Sequence, residues 1–279
     1  MGSAVQTRVF KAGSTTYFNS SLFFAPAMRE EVFALYGFVR TADDHVDCVP
    51  QRAGAFAEFA ARYRAARGGV RAGDAIIDDY VALERKRGFD PAWTEAFLGA
   101  MEADLTRRFY RTEEETLGYV YGSAEVIGLF MARIMGLPDR AQPAAKMLGR
   151  AMQYINFIRD AAEDAAMGRR YLPLERGGER LLDENDDWLP SQGWARSNPE
   201  KWRGYLQRHL ERYGQWQAEA EEGYRLIPRR PRTAVRTAGD MYNWTARQIA
   251  ADPLVVFGRK VKPRKARIVL RALWNGLRG

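Results

Sequence analysis

Period is the feature that most constrains this chain. From Pro26 to Leu277 apolar residues return every three or four positions, and no stretch alternates apolar and polar residues over the length of a strand. Elements with one apolar stripe must pack stripe to stripe, so the expected class is all-α. The periodic segments run over 26–40, 56–67, 74–87, 91–109, 112–135, 141–164, 199–227, 232–251 and 261–277. Pro26, Pro91 and Pro199 open segments, and Gly88, Gly136 and Gly168 close them. Residues 177–199 are irregular and rich in Gly, Asp, Asn and Pro, a length that in a compact domain reads as a lid or flap. No linker or short repeat interrupts the pattern, so residues 1–279 are expected to form one domain. A content of 46% hydrophobic and 12% aromatic residues is enough for its core.

Two sets of acids emerge from strongly apolar helical stretches. The first is Arg40-Thr-Ala-Asp43-Asp44-His-Val-Asp47 and the second Asn156-Phe-Ile-Arg159-Asp160-Ala-Ala-Glu163-Asp164. Residues at i, i+3 and i+4 share a helix face, so Asp43 with Asp47, and Asp160 with Glu163 and Asp164, each form an acidic claw. Like charges at that spacing destabilise a bare helix by about 0.2–0.5 kcal/mol per pair. A chain that accepts this twice is expected to hold cations between the claws. Mg²⁺ is the natural occupant, held by a few carboxylates together with substrate phosphates. The arginine just ahead of each set of acids adds a phosphate-binding group, and arginine with metal-bound carboxylate is what a diphosphate leaving group requires. Other acid clusters, Asp78-Asp79, Glu113-Glu114-Glu115 and Asp186-Asp187, lack this setting and read as surface or loop.

Composition removes several alternatives. One cysteine, Cys48, and two histidines, His45 and His209, leave no material for a zinc site or a Cys–His nucleophile. A single cysteine also fits a reducing cytoplasm. The first residues lack a signal peptide's apolar region, and no apolar run approaches the roughly 18 residues of a membrane span. The net charge of +8 does not form a compact basic motif among stacking aromatics, so nucleic acid is not the expected partner. The cations concentrate instead towards the C-terminus, from Arg225 to Arg236 and from Arg259 to Arg271, where diphosphate or anionic lipid would suit them.

The strings Ser20-Ser-Leu-Phe-Phe24, Tyr36-Gly-Phe-Val-Arg-Thr-Ala-Asp-Asp-His-Val-Asp47 and Gln153-Tyr-Ile-Asn-Phe-Ile-Arg-Asp-Ala-Ala-Glu-Asp164, the last continuing to Gly-Arg-Arg-Tyr-Leu-Pro173, closely resemble the squalene/phytoene synthase family. Asp252-Pro-Leu-Val-Val-Phe-Gly-Arg-Lys-Val261 resembles its C-terminal element, and the matches run in family order over nearly the whole chain. The resemblance implies an all-α isoprenoid synthase fold around a deep cavity. It also implies head-to-head condensation of two prenyl diphosphates through a cyclopropylcarbinyl diphosphate. By motif match, Asp43, Asp44, Asp47, Asp160, Glu163 and Asp164 would coordinate Mg²⁺, with Mn²⁺ as a substitute. Arg40 and Arg159 would contact diphosphate, and Tyr36, Gln153 and Asn156 would line the active site, with Tyr121 and Tyr242 as additions. Tyr17, Phe18, Ser21 and Leu22 would meet the substrate, and Arg259 with Lys260 would lie near the second diphosphate. Phe18, Leu22, Phe23, Ile127, Phe130, Met131, Ile155 and Phe157 have the character of a cavity wall.

Three departures from the family pattern stand out: Ala25 lengthens the Phe-Phe-Pro junction, Ala161-Ala162 fills the second motif, and Glu125 puts an acid into an apolar helix. The favoured reading is a phytoene synthase joining two C20 geranylgeranyl diphosphates, because the small Ser20 and Ser21 leave room for a long chain. The alternatives are C15 condensation to dehydrosqualene, or to squalene with NADPH, and a non-catalytic assembly protein, which the intact claws disfavour. The C-terminal residues 260–278 set cations beside Ile268, Val269, Leu273 and Trp274, and the expectation is a cytoplasmic protein that associates peripherally with anionic membrane.

Overall fold

The computed structural model describes residues 24–278, so Tyr17, Phe18, Ser20, Ser21, Leu22 and Phe23 lie outside the described residues. The described chain runs α1 (Pro26–Asp47), α2 (Ala53–Arg67), α3 (Ala75–Arg87), α4 (Pro91–Ala103), α5 (Glu113–Val120), a π-helical turn (Tyr121–Glu125) and α6 (Val126–Ile134). It continues with α7 (Gln142–Arg159), α8 (Ala161–Ala166), α9 (Gln192–Ser197), α10 (Pro199–Glu222), α11 (Arg229–Ala251), α12 (Val255–Gly258) and α13 (Lys265–Arg278). The only sheet among the described residues is a hairpin of two-residue strands, β1 (Glu175–Arg176) and β2 (Glu179–Arg180). The all-α expectation holds.

Local chemistry sets most ends. Asp74 and Asp90 accept hydrogen bonds from the backbone N–H groups of Ile76 and Ala92, capping α3 and α4. Gly88 closes α3 in the left-handed conformation, at φ 61°. Several boundaries differ from the sequence reading, and three of them have a local cause. The segment at 91–109 is helical only to Ala103, because Asp104 and the residues after it run towards a bridge between Phe109 and Arg170. The segment at 141–164 breaks at Asp160, whose backbone (φ −97°, ψ 10°) leaves the helix while its side chain pairs with Arg159. The last helix begins at Lys265 rather than at 261, since Pro263 pushes Lys262 away from helical geometry.

Helix α7 forms the axis of the core and is packed by α6, α10, α11 and the π-turn. Its approach to the rod of α5, π-turn and α6 is very close. A Cβ on Gly149 would lie 2.3 Å from the Ala124 carbonyl oxygen, and one on Gly128 would lie 2.1 Å from that of Ala145. Two glycines facing backbone in this way fix how far apart the helices can stand. At one end of the core Phe38 stacks on Tyr80 at 3.9 Å. At the other, His209 is fully buried and bonded to Tyr154 at 2.7 Å, with burial and nearby arginines holding its pKa down at about 3. It is a neutral structural histidine.

Residues 177–198 are not a lid. Leu181 and Leu182 are buried, Arg208 donates to the Leu181 carbonyl, and the Arg170 guanidinium holds the Asp186 and Trp188 carbonyls. This strap lies against α10, and none of its residues lines either of the chambers described next.

Candidate active site

The two acid-bearing helix ends meet across one chamber of about 460 Å³. Helix α1 contributes Arg40, Asp43 and Asp47, and the α7–α8 break contributes Arg159, Asp160, Glu163 and Asp164. The break at Asp160 turns the second acid set towards the first. Asp47 is among the charges that raise the pKa of Asp164, so the two claws act on one volume.

Every acid set is held by cations. Arg40 bonds Asp43 at 2.9 Å and Asp44 at 2.5 Å, Arg159 grips Asp160 through both ends of its guanidinium, and Lys260 reaches Glu163 and, at 3.4 Å, Asp160. Even so the site remains over-supplied with negative charge. Burial first, and then the repulsion of Asp47, push the Asp43 carboxyl up to about 7. Burial, followed by Asp160 and Asp47, holds the Asp164 carboxyl well above the usual range. Such a field lacks a countercharge, and that is the condition a divalent cation relieves.

Among the described residues no three acids converge tightly enough to enclose an ion by themselves. This arrangement fits Mg²⁺, which takes one or two carboxylates and completes its octahedron with water and substrate phosphates. It does not fit a cage-bound structural metal. Asp44 differs from the expected set. One position round the helix from Asp43, it does not line the chamber; it pairs with Arg40, and its carbonyl accepts from Arg52.

Several chamber groups were not singled out in the sequence. Asp104, 2% exposed, accepts from the Tyr119 hydroxyl at 2.6 Å and the Tyr171 hydroxyl at 2.7 Å. Arg169 donates to the carbonyls of Val46 and Asp104 and to Asp47, all within 3.1–3.2 Å, and so ties the end of α1 to the end of α4. Lys262 adds a fifth cation, on the Lys260 side. Arg169 and Tyr171 stand in the string that carries the family resemblance. Asp104, a lone acid after the apolar face of α4, shows only the weak signal of a charge where the helix ends. Phe157 stacks on Tyr171 at 4.6 Å, which gives this chamber an aromatic floor.

A second chamber, about 300 Å³, continues from the first. Tyr36, Val39, Ser123, Gln153 and Asn156 line both and form a collar between them. Beyond the collar the wall is almost wholly apolar, with Val32, Leu35, Ile127, Met131, Leu148 and Met152 the larger contributors. The Ser123 hydroxyl and the Asn156 side-chain oxygen are buried at this junction without a protein partner. Polar atoms left bare at a collar are placed to meet a ligand that passes through it.

The remaining expectations divide. Tyr36, Gln153, Asn156, Tyr242 and Lys260 line the polar chamber; Ile127 and Met131 line the apolar one, and Phe157 the polar one. Phe130 packs on Phe89 and Ile155 is fully buried; both are core rather than wall. Tyr121 is 36% exposed on the π-turn under Lys146 and belongs to neither chamber. Arg259 lines the adjoining basic cleft and not the chamber itself. Glu125 does not enter the pocket wall, because Arg150 at 2.7 Å and Lys146 neutralise it on the other side of the π-turn.

Comparison with known proteins agrees with this geometry. The family model described as squalene/phytoene synthase matches residues 10–267. The chain is 30% identical over 277 residues to a 15-cis-phytoene synthase of Synechocystis sp., covering 93% of this chain and 80% of that one. It is 28% identical to a phytoene synthase of Rhodobacter capsulatus over 93% and 76% of the two chains. Among solved structures, a dehydrosqualene synthase in complex with ligand superposes with a TM-score of 0.81 at 21% identity, covering 99% and 95%. A squalene synthase from Alicyclobacillus acidocaldarius gives 0.75 at 20% identity, covering 88% and 92%. These two share the fold.

Proposed function

The chain belongs to the squalene/phytoene synthase family of prenyltransferases, and we propose that it joins two geranylgeranyl diphosphates head to head to give phytoene. The observation that carries this reading is the pair of joined chambers, one charged and flanked by two acid claws, the other almost wholly apolar. A prenyl diphosphate has this same division between its head and its tail.

Binding would exchange partners that are already in place. Arg40, Arg159 and Lys260 each hold a carboxylate and would turn to phosphate oxygens, where a guanidinium bonds in bidentate fashion. Mg²⁺, or Mn²⁺ in its stead, held by Asp43, Asp47, Asp160, Glu163 and Asp164 with diphosphate oxygens, would supply the charge that lets diphosphate leave. Cleavage of the C1–O bond of one substrate gives an allylic cation. The C2=C3 double bond of the second substrate attacks that cation, and loss of one proton closes a cyclopropylcarbinyl diphosphate. A second C–O cleavage, rearrangement and loss of a second proton give the C40 hydrocarbon, so two diphosphates and two protons leave in all.

The protein's task in these steps is to orient the chains and exclude water. Phe157, Tyr119 and Tyr171 line the chamber as a cluster of packed rings, and an aromatic lining stabilises a passing cation without reacting with it. Burial raises the hydroxyl pKa of Tyr36, Tyr119 and Tyr171, with Tyr36 pushed up to about 12, so these three stay protonated and serve as hydrogen-bond donors. The apolar wall beyond the collar keeps the tails dry, as a carbocation demands.

Mass analysis of products tests the assignment. Purified enzyme given C20 and C15 diphosphates together with Mg²⁺ is expected to yield a C40 hydrocarbon from the C20 substrate without NADPH. A C30 product from C15 alone would replace the C20 reading with dehydrosqualene formation, and one that required NADPH would replace it with squalene formation. No release of pyrophosphate from either substrate would point to the non-catalytic alternative.

A further inference from the structure

We propose that helix α13, with the basic cleft beside it, is a docking surface for an anionic lipid bilayer. The helix meets the rest of the chain along a narrow stripe. Ile268, Ala272 and Asn275 are buried at 1%, 1% and 3% exposure, and they follow one another at helical spacing. Asn275 donates to Asp240 at 2.7 Å and to Thr237 at 3.2 Å, and Arg271 grips Asp240 at 2.7 and 3.0 Å. These bonds clamp α13 on α11 in one orientation.

At about 100° per residue, the side opposite that stripe carries Leu270, Leu273 and Leu277. They are 67%, 57% and 82% exposed, and Trp274, at 45%, stands beside them. A helix that docks through its smaller residues and turns its leucines to water has its amphipathicity reversed relative to the domain. Among the described residues no other helix shows this concentration of exposed large apolar side chains.

Charge identifies the occupant. The cleft between α11 and α13, about 940 Å³, carries Arg247, Arg259, Lys262 and Arg264. Among the described residues none of these four side chains has an ion-pair partner. The two acids on the same wall are already engaged: Asp240 by Arg271 and Asn275, and Asp252 by the Leu254 N–H. Uncompensated cations beside an outward leucine face are the complement of anionic headgroups over acyl chains. A second copy of the chain fits less well, because a two-fold contact through this face would bring its cations against their own images. The cleft also shares Met241, Lys260 and Lys262 with the polar chamber, so a docked bilayer would lie beside the site.

Co-sedimentation of the full chain with vesicles tests this, using phosphatidylcholine alone and phosphatidylcholine mixed with phosphatidylglycerol. The expected result is binding to the anionic vesicles at low salt, a loss of about tenfold or more at high salt, and none to the neutral ones. Leu273→Glu with Leu277→Glu should abolish binding without changing the circular dichroism, because both side chains already face water. Val70→Glu, at an equally exposed apolar residue elsewhere, should leave binding unchanged. Arg247→Gln with Arg264→Gln should weaken it about 25-fold, at about fivefold per lost charge. No binding to anionic vesicles at low salt would overturn the proposal, as would binding that the leucine substitutions do not alter. A dimer in analytical ultracentrifugation that the leucine substitutions split would overturn it in favour of a second copy.

Discussion

Replacing Asp104 tests whether the aromatic floor of the polar chamber is organised by one buried carboxylate. Asp104→Ala would leave the Tyr119 and Tyr171 hydroxyls buried without their acceptor. An unsatisfied buried donor costs about 1–3 kcal/mol, so two predict a loss of about 2–6 kcal/mol. Asp104→Asn separates the bonding role from the charge. Burial holds the Asp104 carboxyl up at about 6, the bonds from the two tyrosines only partly opposing it. An acid whose pKa is higher in the folded state than in the unfolded state binds its proton more tightly when folded. Its contribution to stability is therefore largest below pH 4 and is lost as pH rises from about 4 to 6. The amide has no such proton to lose. A shift of about two units corresponds to about 3 kcal/mol, so the stability of Asp104→Asn relative to the wild type should improve by up to that amount between pH 4 and pH 8. Urea unfolding of the metal-free protein across that range measures it. Parallel stability curves for the two proteins would refute the assignment of a strained buried charge, and an Asp104→Ala variant within about 1 kcal/mol of wild type would refute the bonding role.

Three further outcomes follow from the geometry. Asp43→Asn or Asp160→Asn should lower pyrophosphate release by about a hundredfold or more while leaving circular dichroism unchanged, and chelation of divalent cations should abolish release in the wild type, with Mg²⁺ restoring it. Ile127→Trp, which overfills the apolar chamber, should reduce turnover of a C20 substrate more than that of a C15 one, by about 5- to 150-fold for an overpacking cost of about 1–3 kcal/mol, as read from paired kcat/KM values. Tyr121→Phe should leave kcat/KM within about twofold, because this hydroxyl sits outside both chambers; a larger loss would mean the π-turn side chain reaches the substrate.

The helices were legible because their cause is local: apolar spacing, proline at the start, glycine at the end. The claws were legible for the same reason, since i and i+4 on one helix face need no knowledge of the rest of the fold. Asp44 shows the limit of that reasoning. As part of a run of acids it looks like a ligand, but a single step round the helix carries it off the chamber and into a pair with Arg40. Tyr121 and the break at Asp160 escaped for a different reason. A π-turn adds a residue to one helical turn, and a break at the end of α7 redirects a whole acid set; both are set by packing against distant segments rather than by the residues within them. Asp104 and Lys262 likewise gain their roles from elements far away in sequence.

The irregular stretch at 177–198 is instructive because its composition pointed to motion and its contacts show restraint. Arg170, next to Arg169 in sequence, spends its guanidinium on carbonyls of that stretch, while Arg169 spends its own on the ends of α1 and α4. Two adjacent arginines thus pin opposite sides of one junction, the strap behind and the chamber in front. This arrangement offsets the repulsion within the acid claws. Asp43, Asp47, Asp160 and Asp164 would repel one another where they are ionised, and the carboxyls of Asp43 and Asp164, raised by burial first and by neighbouring aspartates second, show that the site disfavours a full set of negative charges. A site built this way is strained towards its ligand before the ligand arrives. The cations that hold it, Arg40, Arg159 and Lys260, are also the ones a diphosphate would recruit, so substrate binding need not create a charged pocket; it need only replace carboxylate with phosphate on cations that are already aimed.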